Sequence, residues 1–553
     1  MNKRNIYFII FFWSFMLILK SSAFGQLSAG GVPPSTTFNL EDERNVSELL
    51  RPDLLLIHSE DNDFPTPYRY GINLPADFSP ETSGNWVNLR DGGRLWRLTI
   101  RIDGALALSA CFDRFHLPAG GKLFLYNQHK SQVIGAFTEK NNSPKEYFAT
   151  ELINGDQLTL EYYQPSGSSG NLRLHLNEIV YAYRGVGFFG NLQDEDRSSG
   201  SCEVNVNCPE GQAWQLQKKG VVRISVKKDG SSFWCSGSLL NNVRQDHTPY
   251  ILTADHCGVT ATPEQLLEWV FYFDYESSDC QTPVVPPVPK SLTGAIRVAE
   301  SGNSAYNGSD FYLVVLAGPI PSSYDVYYNG WNRQNIPSHT GVGIHHPQGD
   351  IKKISTYSKL LETSIYGSNP DFSFWKVLWD QTTSGHGVTE PGSSGSPIFD
   401  TNGLVVGTLT GGESDCDSAT LNLPDYYGKF YWSWDLNGND STRRLKDWLD
   451  PDSTGVNLLD GLYLSMHEKE SKNSIRVFPN PFNDYLNIKL PDTHASSFRI
   501  EIYNFMGDLI EKEEIKLKDS SSVSIHFPDL STGMYLLKVF SGEDVFCVKM
   551  IKQ

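Results

Sequence analysis

Basic residues are scarce in this 553-residue chain: 46 lysines and arginines stand against 64 aspartates and glutamates, a formal net charge of −18 at pH 7. Such a surface has no surplus of cations to neutralise phosphates, so no nucleic-acid partner is expected. Cysteine is sparse as well, with 8 in all. No two of them stand at C-x-x-C spacing, the arrangement common in structural zinc sites, so neither a metal nor another cofactor is expected. Beyond residue 25 no run is long and apolar enough to cross a bilayer.

The one apolar run lies at the start, from Ile6 to Leu19, with Lys3 and Arg4 before it and Lys20 and Ala23-Phe24-Gly25 after it. It is short for a membrane span and reads as a secretory signal peptide over residues 1–25. Export agrees with the cysteines. Cys202, Cys208, Cys235, Cys257, Cys280 and Cys416 fall in one region, and an even, clustered set in an exported chain implies a disulfide framework. Six cysteines allow 15 connectivities, and their spacing does not choose among them. Cys111 and Cys547 stand apart, expected to be free or buried.

The chain is too long for one core. From Tyr68 to Tyr183 the runs "LWRLTIRID", "KLFLYN", "QLTLEYY" and "LRLHLNEIVYAY" alternate with period two. They predict an antiparallel β-sandwich of about seven to nine strands within residues 26–197. His116 and Trp96 there read as packed residues. The polar stretch "NLQDEDRSSGS", Asn191 to Ser201, marks a boundary exposed enough to be cut. Residues 198–464 hold the cysteine cluster and the short runs "GVVRISV", "WVFYFDY", "DFYLVVL" and "LVVGTLT", which predict a pair of β-barrels with a late helix at "TRRLKDWL". A charged linker, 465–474, precedes a last β-patterned block, 475–553, the length of a small sandwich.

Chemistry points to "GVTEPGSSGSPIFD", Gly387 to Asp400. Glycine tolerates positive φ and close backbone approach. A serine between glycines can therefore expose its Oγ while neighbouring N–H groups converge, as an acyl-transfer nucleophile requires; an ordinary Gly/Ser loop is the competing account. His256 in "YILTADHCG" ends an apolar strand beside a cysteine, a place for a general base. Asp310 in "NGSDFYLVVL" precedes an apolar run that draws it inward, and a buried aspartate is costly unless it is hydrogen-bonded. His345 and His346 in "IHHP" suggest a metal at first sight, but adjacent strand residues face opposite ways.

At these residues the chain resembles the lysyl endopeptidases, a bacterial branch of the chymotrypsin-like serine peptidases. "ADHCG", "SDFYLVVL" and "TEPGSSGSP" look like their three catalytic segments. "GSCEVNVNCPEG", "CSGSLLNN", "IHHPQGDIKKIS" and "LKDWLDPDSTGVNLLDGL" extend the likeness over about Ser198 to Leu464. The resemblance implies an all-β, chymotrypsin-like double barrel with His256 as base, Asp310 as its orienter and Ser394 as nucleophile. It implies an oxyanion hole from the N–H groups of Gly392 and Ser394, and disulfides Cys202–Cys416, Cys208–Cys280 and Cys235–Cys257. Asp425 in "PDYYG" is implied to bind the substrate lysine. From the residues themselves, Gly411-Gly412 offers a segment with which a substrate backbone can pair as an extra strand.

The chain departs from the family at three places. Thr410 stands where a histidine is usual, Tyr366 falls at the position of a stacking tryptophan, and Ser393 replaces the aspartate that trypsin-like enzymes use to bind a freed N-terminus. The Cys202–Cys416 bond is left to hold that terminus. The family is made as a precursor, so 26–197 reads as a propeptide and Arg197 as its cut point. "VFPNPFND", "GMYLLKV" and "KMIKQ" resemble the type IX secretion sorting domains of Bacteroidetes. Expected partners are protein and peptide substrates, the type IX machinery and the chain's own propeptide; the expected state is monomeric, secreted or at the cell surface. Three functions compete: cleavage after lysine, cleavage after lysine and arginine, and peptide binding on an inactive scaffold. The intact His256, Asp310 and Ser394 argue against the last.

Overall fold

The alternating runs become strands whose apolar positions are sealed from water. The computed structural model describes residues 28–185 and 199–464, apart from 42–44, 64–66, 284–286, 303–307, 368–370 and 418, and most of 476–552. The signal segment, Arg197 and the linker 465–474 lie outside the described residues. Contacts divide the chain into two units, 1–464 and 465–553.

In the first unit, ten strands lie between Tyr68 and Ala182. That exceeds the expected seven to nine because Phe148–Ala149 and Ile153–Asn154 are two residues each and too short to show any alternation. They build the expected sandwich, whose core includes Trp96, Leu98, Phe112, Phe115, Leu160 and Ile179.

Residues 221–429 form two barrels. In the first, strands Lys290–Thr293, Val270–Phe273, Val221–Lys228, Ser231–Leu240, Tyr250–Ala254, Phe311–Leu316 and Ala295–Glu300 are hydrogen-bonded in that order. The two end strands are consecutive in the chain, joined by Gly294 alone, so the sheet curls toward closure. The second runs Lys353–Tyr357, Gly341–His345, Pro397–Phe399, Val405–Gly412, Asp425–Lys429, Phe374–Val377, Glu362–Ser364. One apolar core fills the first barrel around Trp269, Phe271 and Tyr312, and another fills the second around Trp375, Trp379 and Tyr427. A third, with Phe311, Leu313, Ile344 and Phe399, draws on both. This is the all-β, chymotrypsin-like arrangement.

No break in the sheet marks the passage from the sandwich to the barrels. Strand Tyr68–Phe78 pairs with Ser231–Leu240 (Ser231 opposite Ile72, Trp234 opposite Tyr68), so one twelve-stranded sheet runs through both. The Tyr70 ring stacks on Trp234 at 4.1 Å, and buried Lys227 lies 2.6 Å from both Glu178 and Glu268. A buried ammonium is tolerated when carboxylates stand this close, and burial pushes Glu268, the more enclosed of the two, up to about 7.

The expected helix at "TRRLKDWL" is two single turns, Ser441–Arg443 and Lys446–Leu449. Asp440 caps the first, and Arg444 between them is extended (φ −153°, ψ 149°). A helix does form at Phe430–Asp435, where "FYWSWD" carries strand-like aromatics. The second unit holds a three-stranded and a four-stranded sheet around Leu486, Ile488, Ile500, Ile502 and Leu537, the small β-sandwich expected.

Candidate active site

His256 sits in a short turn, Asp255–Gly258, that caps the strand Tyr250–Ala254. Asp310 immediately precedes the neighbouring strand, with φ +52° and no exposure. Antiparallel pairing of the two strands (Ala254 opposite Phe311) brings the residues together. The Asp310 carboxylate accepts the His256 backbone N–H at 3.0 Å through Oδ1, while Oδ2 lies 2.8 Å from the ring Nδ1. A carboxylate can only accept, so the proton is on Nδ1 and Nε2 presents its lone pair. Nε2 is buried and has no hydrogen-bond partner among the described residues. From behind, Lys228 Nζ donates to the His256 carbonyl at 2.6 Å; burial pushes this ammonium down to about 8.

Ser394 lies in a turn seated on the strand Ser231–Leu240. Its carbonyl accepts from Ser236 N at 2.8 Å and stands 3.9 Å from Cys257 Sγ, beside His256. The Pro391 carbonyl accepts from Gln348 N at 2.6 Å and the Ser393 carbonyl from Ser396 N at 3.0 Å. In a trans peptide the N–H points opposite its carbonyl, so the N–H groups of Gly392 and Ser394 are turned away from those partners. Glycine is needed here. Gly392 has φ +101° and Gly395 φ +84°, and a Cβ on Gly395 would stand 2.1 Å from Thr253 Oγ1.

Asp425 is fully buried. Its Oδ2 accepts from Trp379 Nε1 at 2.6 Å, Ser414 Oγ at 2.6 Å and Thr389 Oγ1 at 2.8 Å, and Oδ1 accepts from Ser414 N at 3.3 Å. Burial pushes the carboxyl up to about 6 against the pull of these donors. Gly411 and Gly412 are closely approached by other side chains. A Cβ on Gly412 would stand 1.8 Å from Asp425 Oδ1, and one on Gly411 would stand 2.7 Å from the Tyr366 hydroxyl. Trp379, Thr389, Ser414 and Lys228 were missed in the sequence; for Thr389 and Ser414, hydroxyl residues flanking the Ser394 turn and Gly411-Gly412 were the available signal.

Comparison with known proteins adds to this geometry. Residues 197–428 match the model of the lysyl endopeptidase C-terminal domain, and 476–553 that of the secretion system C-terminal sorting domain. A lysyl endopeptidase of Pseudomonas aeruginosa is 26% identical over 382 residues, 66% of this chain and 79% of that protein. The chain is a serine endopeptidase, similar to the lysyl endopeptidases over residues 197–428, with a secretion sorting domain over 476–553. Among solved structures, the protease Anisep from Arthrobacter nicotinovorans aligns over 39% of this chain and 91% of its own (TM-score 0.27, 18% identity). A tobacco etch virus protease complexed with product aligns over 39% and 75% (TM-score 0.23, 12% identity).

The three disulfides of this peptidase are Cys202–Cys416, Cys208–Cys280 and Cys235–Cys257; Cys111 is free and buried. Cys235–Cys257 closes a loop of sequence separation 22, for which loop entropy supplies about 3 kcal/mol. Removing both cysteines together (C235A/C257A) is expected to lower unfolding free energy by that amount in denaturant titrations, and an unchanged midpoint would refute it. The first described residues of the peptidase, Ser199 and Gly200, are tied by more than the Cys202–Cys416 bond. Asp350 Oδ2 accepts from Ser199 N at 3.3 Å and Ser199 Oγ at 2.7 Å, and Glu390 accepts from Gly200 N at 3.1 Å.

Thr410 is buried on the strand leading to Gly411, its hydroxyl without a hydrogen-bond partner in the described residues. Tyr366 packs its ring 5.2 Å from Tyr426 and 5.7 Å from Phe374. His345 and His346 are both fully buried and held well down by burial. Among the described residues, no three of His, Cys, Asp and Glu gather as a metal ion would need.

Proposed function

We propose that this exported peptidase cleaves peptide bonds after lysine through an acyl-enzyme on Ser394. His256 Nε2 takes the hydroxyl proton as Oγ attacks the scissile carbonyl, then returns it to the leaving amine. Asp310 keeps the Nδ1–H tautomer and stabilises the imidazolium. The N–H groups of Gly392 and Ser394 receive the oxyanion; removing one such donor in comparable sites costs about 2.7–4 kcal/mol. Asp425 holds the substrate ammonium, and Gly411 and Gly412 leave room for the lysine stem and pair with substrate backbone. Tyr366 and Thr410 line the adjoining subsite.

The observation that carries this reading is the His256–Asp310 contact with Nε2 left unpartnered, beside a turn that bears Ser394. We also assign residues 26–197 as a propeptide whose strand Tyr68–Phe78 clasps the peptidase sheet, with Arg197 as the cut point. Digesting a denatured protein of known sequence and mapping the new termini tests the specificity. Nearly all cuts are expected after lysine. Cuts divided evenly between lysine and arginine would favour the broader specificity, and cuts at neither would overturn the assignment of Asp425.

A further inference from the structure

The "IHHP" histidine His345 takes no part in the chemistry above, yet its ring stands between Ser393, in the turn that bears Ser394, and Ser355, which is bonded to Val388 next to the Asp425 partner Thr389. His345 Nδ1 lies 2.8 Å from Ser393 Oγ, and Nε2 lies 2.9 Å from Ser355 Oγ. Ser355 Oγ in turn donates to the Val388 carbonyl at 2.8 Å, and Ser393 Oγ accepts from Glu390 N at 3.3 Å. The direction of each bond can be deduced, because a hydroxyl has one proton and a neutral imidazole has one N–H. Ser355 spends its proton on Val388 O, so it must accept from His345 Nε2–H. Nδ1 is then an acceptor, and Ser393 gives its proton to it. Every donor and acceptor in the row is used, and it works only with neutral imidazole. His345 and Ser393 are without exposure. The titratable groups facing the ring are Glu203, 4.0 Å from Nε2 and pushed well up toward its neutral acid by burial, and Lys353; burial first and then Lys353 hold the imidazole down at about 3.

We infer that His345 and Ser393 are positioning residues that set the Ser394 amide, an uncharged strut at the place where trypsin-like enzymes use an aspartate. The strut joins the turn that carries the nucleophile to Val388–Thr389, whose threonine binds Asp425. Since no charge takes part, the anchor is in place with the residues upstream of Ser199 still attached. The inference rests on the function proposed above. Buried polar groups of this kind are costly when half satisfied, so losing one member should move the turn rather than merely remove a bond.

The test uses the processed enzyme with S393A, H345L and H345Q, the last keeping one donor and one acceptor. Each is assayed on a lysyl peptide substrate and with two inhibitors. A lysine aldehyde peptide forms an oxyanion with Ser394, whereas a simple alkylamine needs only the Asp425 pocket. S393A and H345L are expected to lower kcat about tenfold or more and to weaken the aldehyde in step, with KM and amine inhibition within about twofold. H345Q is expected to recover most of the loss, and S393A/H345L to be no worse than either single change. Equal weakening of aldehyde and amine would reduce the residues to packing, and unchanged kcat would overturn the inference. If H345L does not fold, S393A decides alone. Labelling of wild-type Ser394 by a phosphonofluoridate separates the two claims: no labelling defeats the proposed function, whereas labelling with unaffected S393A defeats only this strut.

Discussion

Ser394→Ala is expected to lower kcat/KM about 10⁴- to 10⁶-fold and to abolish labelling by a phosphonofluoridate, with the thermal midpoint nearly unchanged. The size follows from the division of labour at the site. Without Oγ no acyl-enzyme forms, and what is left is whatever the oxyanion donors and the Asp425 pocket do for direct attack by water. His256→Ala should cost about as much, because nucleophile and base act as a unit and the hydroxyl is a weak nucleophile without its base. Asp310→Asn should cost about 10⁴-fold: an amide at Oδ2 would donate toward Nδ1, driving the ring into the tautomer whose Nε2 carries the proton and cannot act as a base. The double variant S394A/H256A should be no slower than S394A, since the two act as a unit. A peptide-binding scaffold predicts otherwise. Hydrolysis surviving S394A undiminished, or wild-type protein that binds peptide without turnover, would remove the nucleophile assignment.

Much of this was legible in the amino-acid sequence because local features report on local physics. Period-two alternation marks strands wherever one face is buried, and it pointed to the sandwich; the barrel strands were read from short apolar runs, and Val221–Lys228 is buried along its whole length. Glycines around Ser394 and the apolar run after Asp310 indicated a backbone forced into unusual φ and a carboxylate drawn inward; Gly392 and Gly395 have positive φ and Asp310 is without exposure. The cysteine pairing came from family likeness, since spacing left every connectivity open. What escaped was set by contacts between distant segments. Trp379 donates to Asp425 from 46 residues away, and Lys228 reaches the His256 carbonyl from a different strand. The continuous sheet from the sandwich into the first barrel depends on a register between Ile72 and Ser231 that neither segment reveals alone. Phe430–Asp435 forms a helix whose Phe430 and Trp434, one helical turn apart, pack with Trp331 about a hundred residues earlier in the chain.

Asp425→Asn is expected to reduce kcat/KM on lysyl substrates about 10²- to 10⁴-fold while leaving esters with a neutral residue at that position nearly unaffected. Truncating one member of a buried, hydrogen-bonded charge pair costs about 2–5 kcal/mol, and here the geometry dictates which way the amide must turn. Oδ2 accepts from Trp379, Ser414 and Thr389, so the asparagine oxygen must take that place. Its NH₂ then stands at Oδ1, a donor facing both Ser414 N and the incoming ammonium. The wild-type carboxyl, raised to about 6 by burial, is charged above that pH and neutral below it. The attraction for lysine is therefore present at neutral pH and lost as pH falls through about 6, with KM rising. A bound ammonium lowers the same carboxyl, so the limb belongs to the free enzyme and shows in kcat/KM rather than in kcat. Dividing the lysyl profile by the neutral-ester profile cancels every contribution common to the two substrate classes and leaves that of Asp425. In D425N that ratio should be flat. A ratio still falling through pH 6 in the variant would place the lysine-binding charge on another carboxylate.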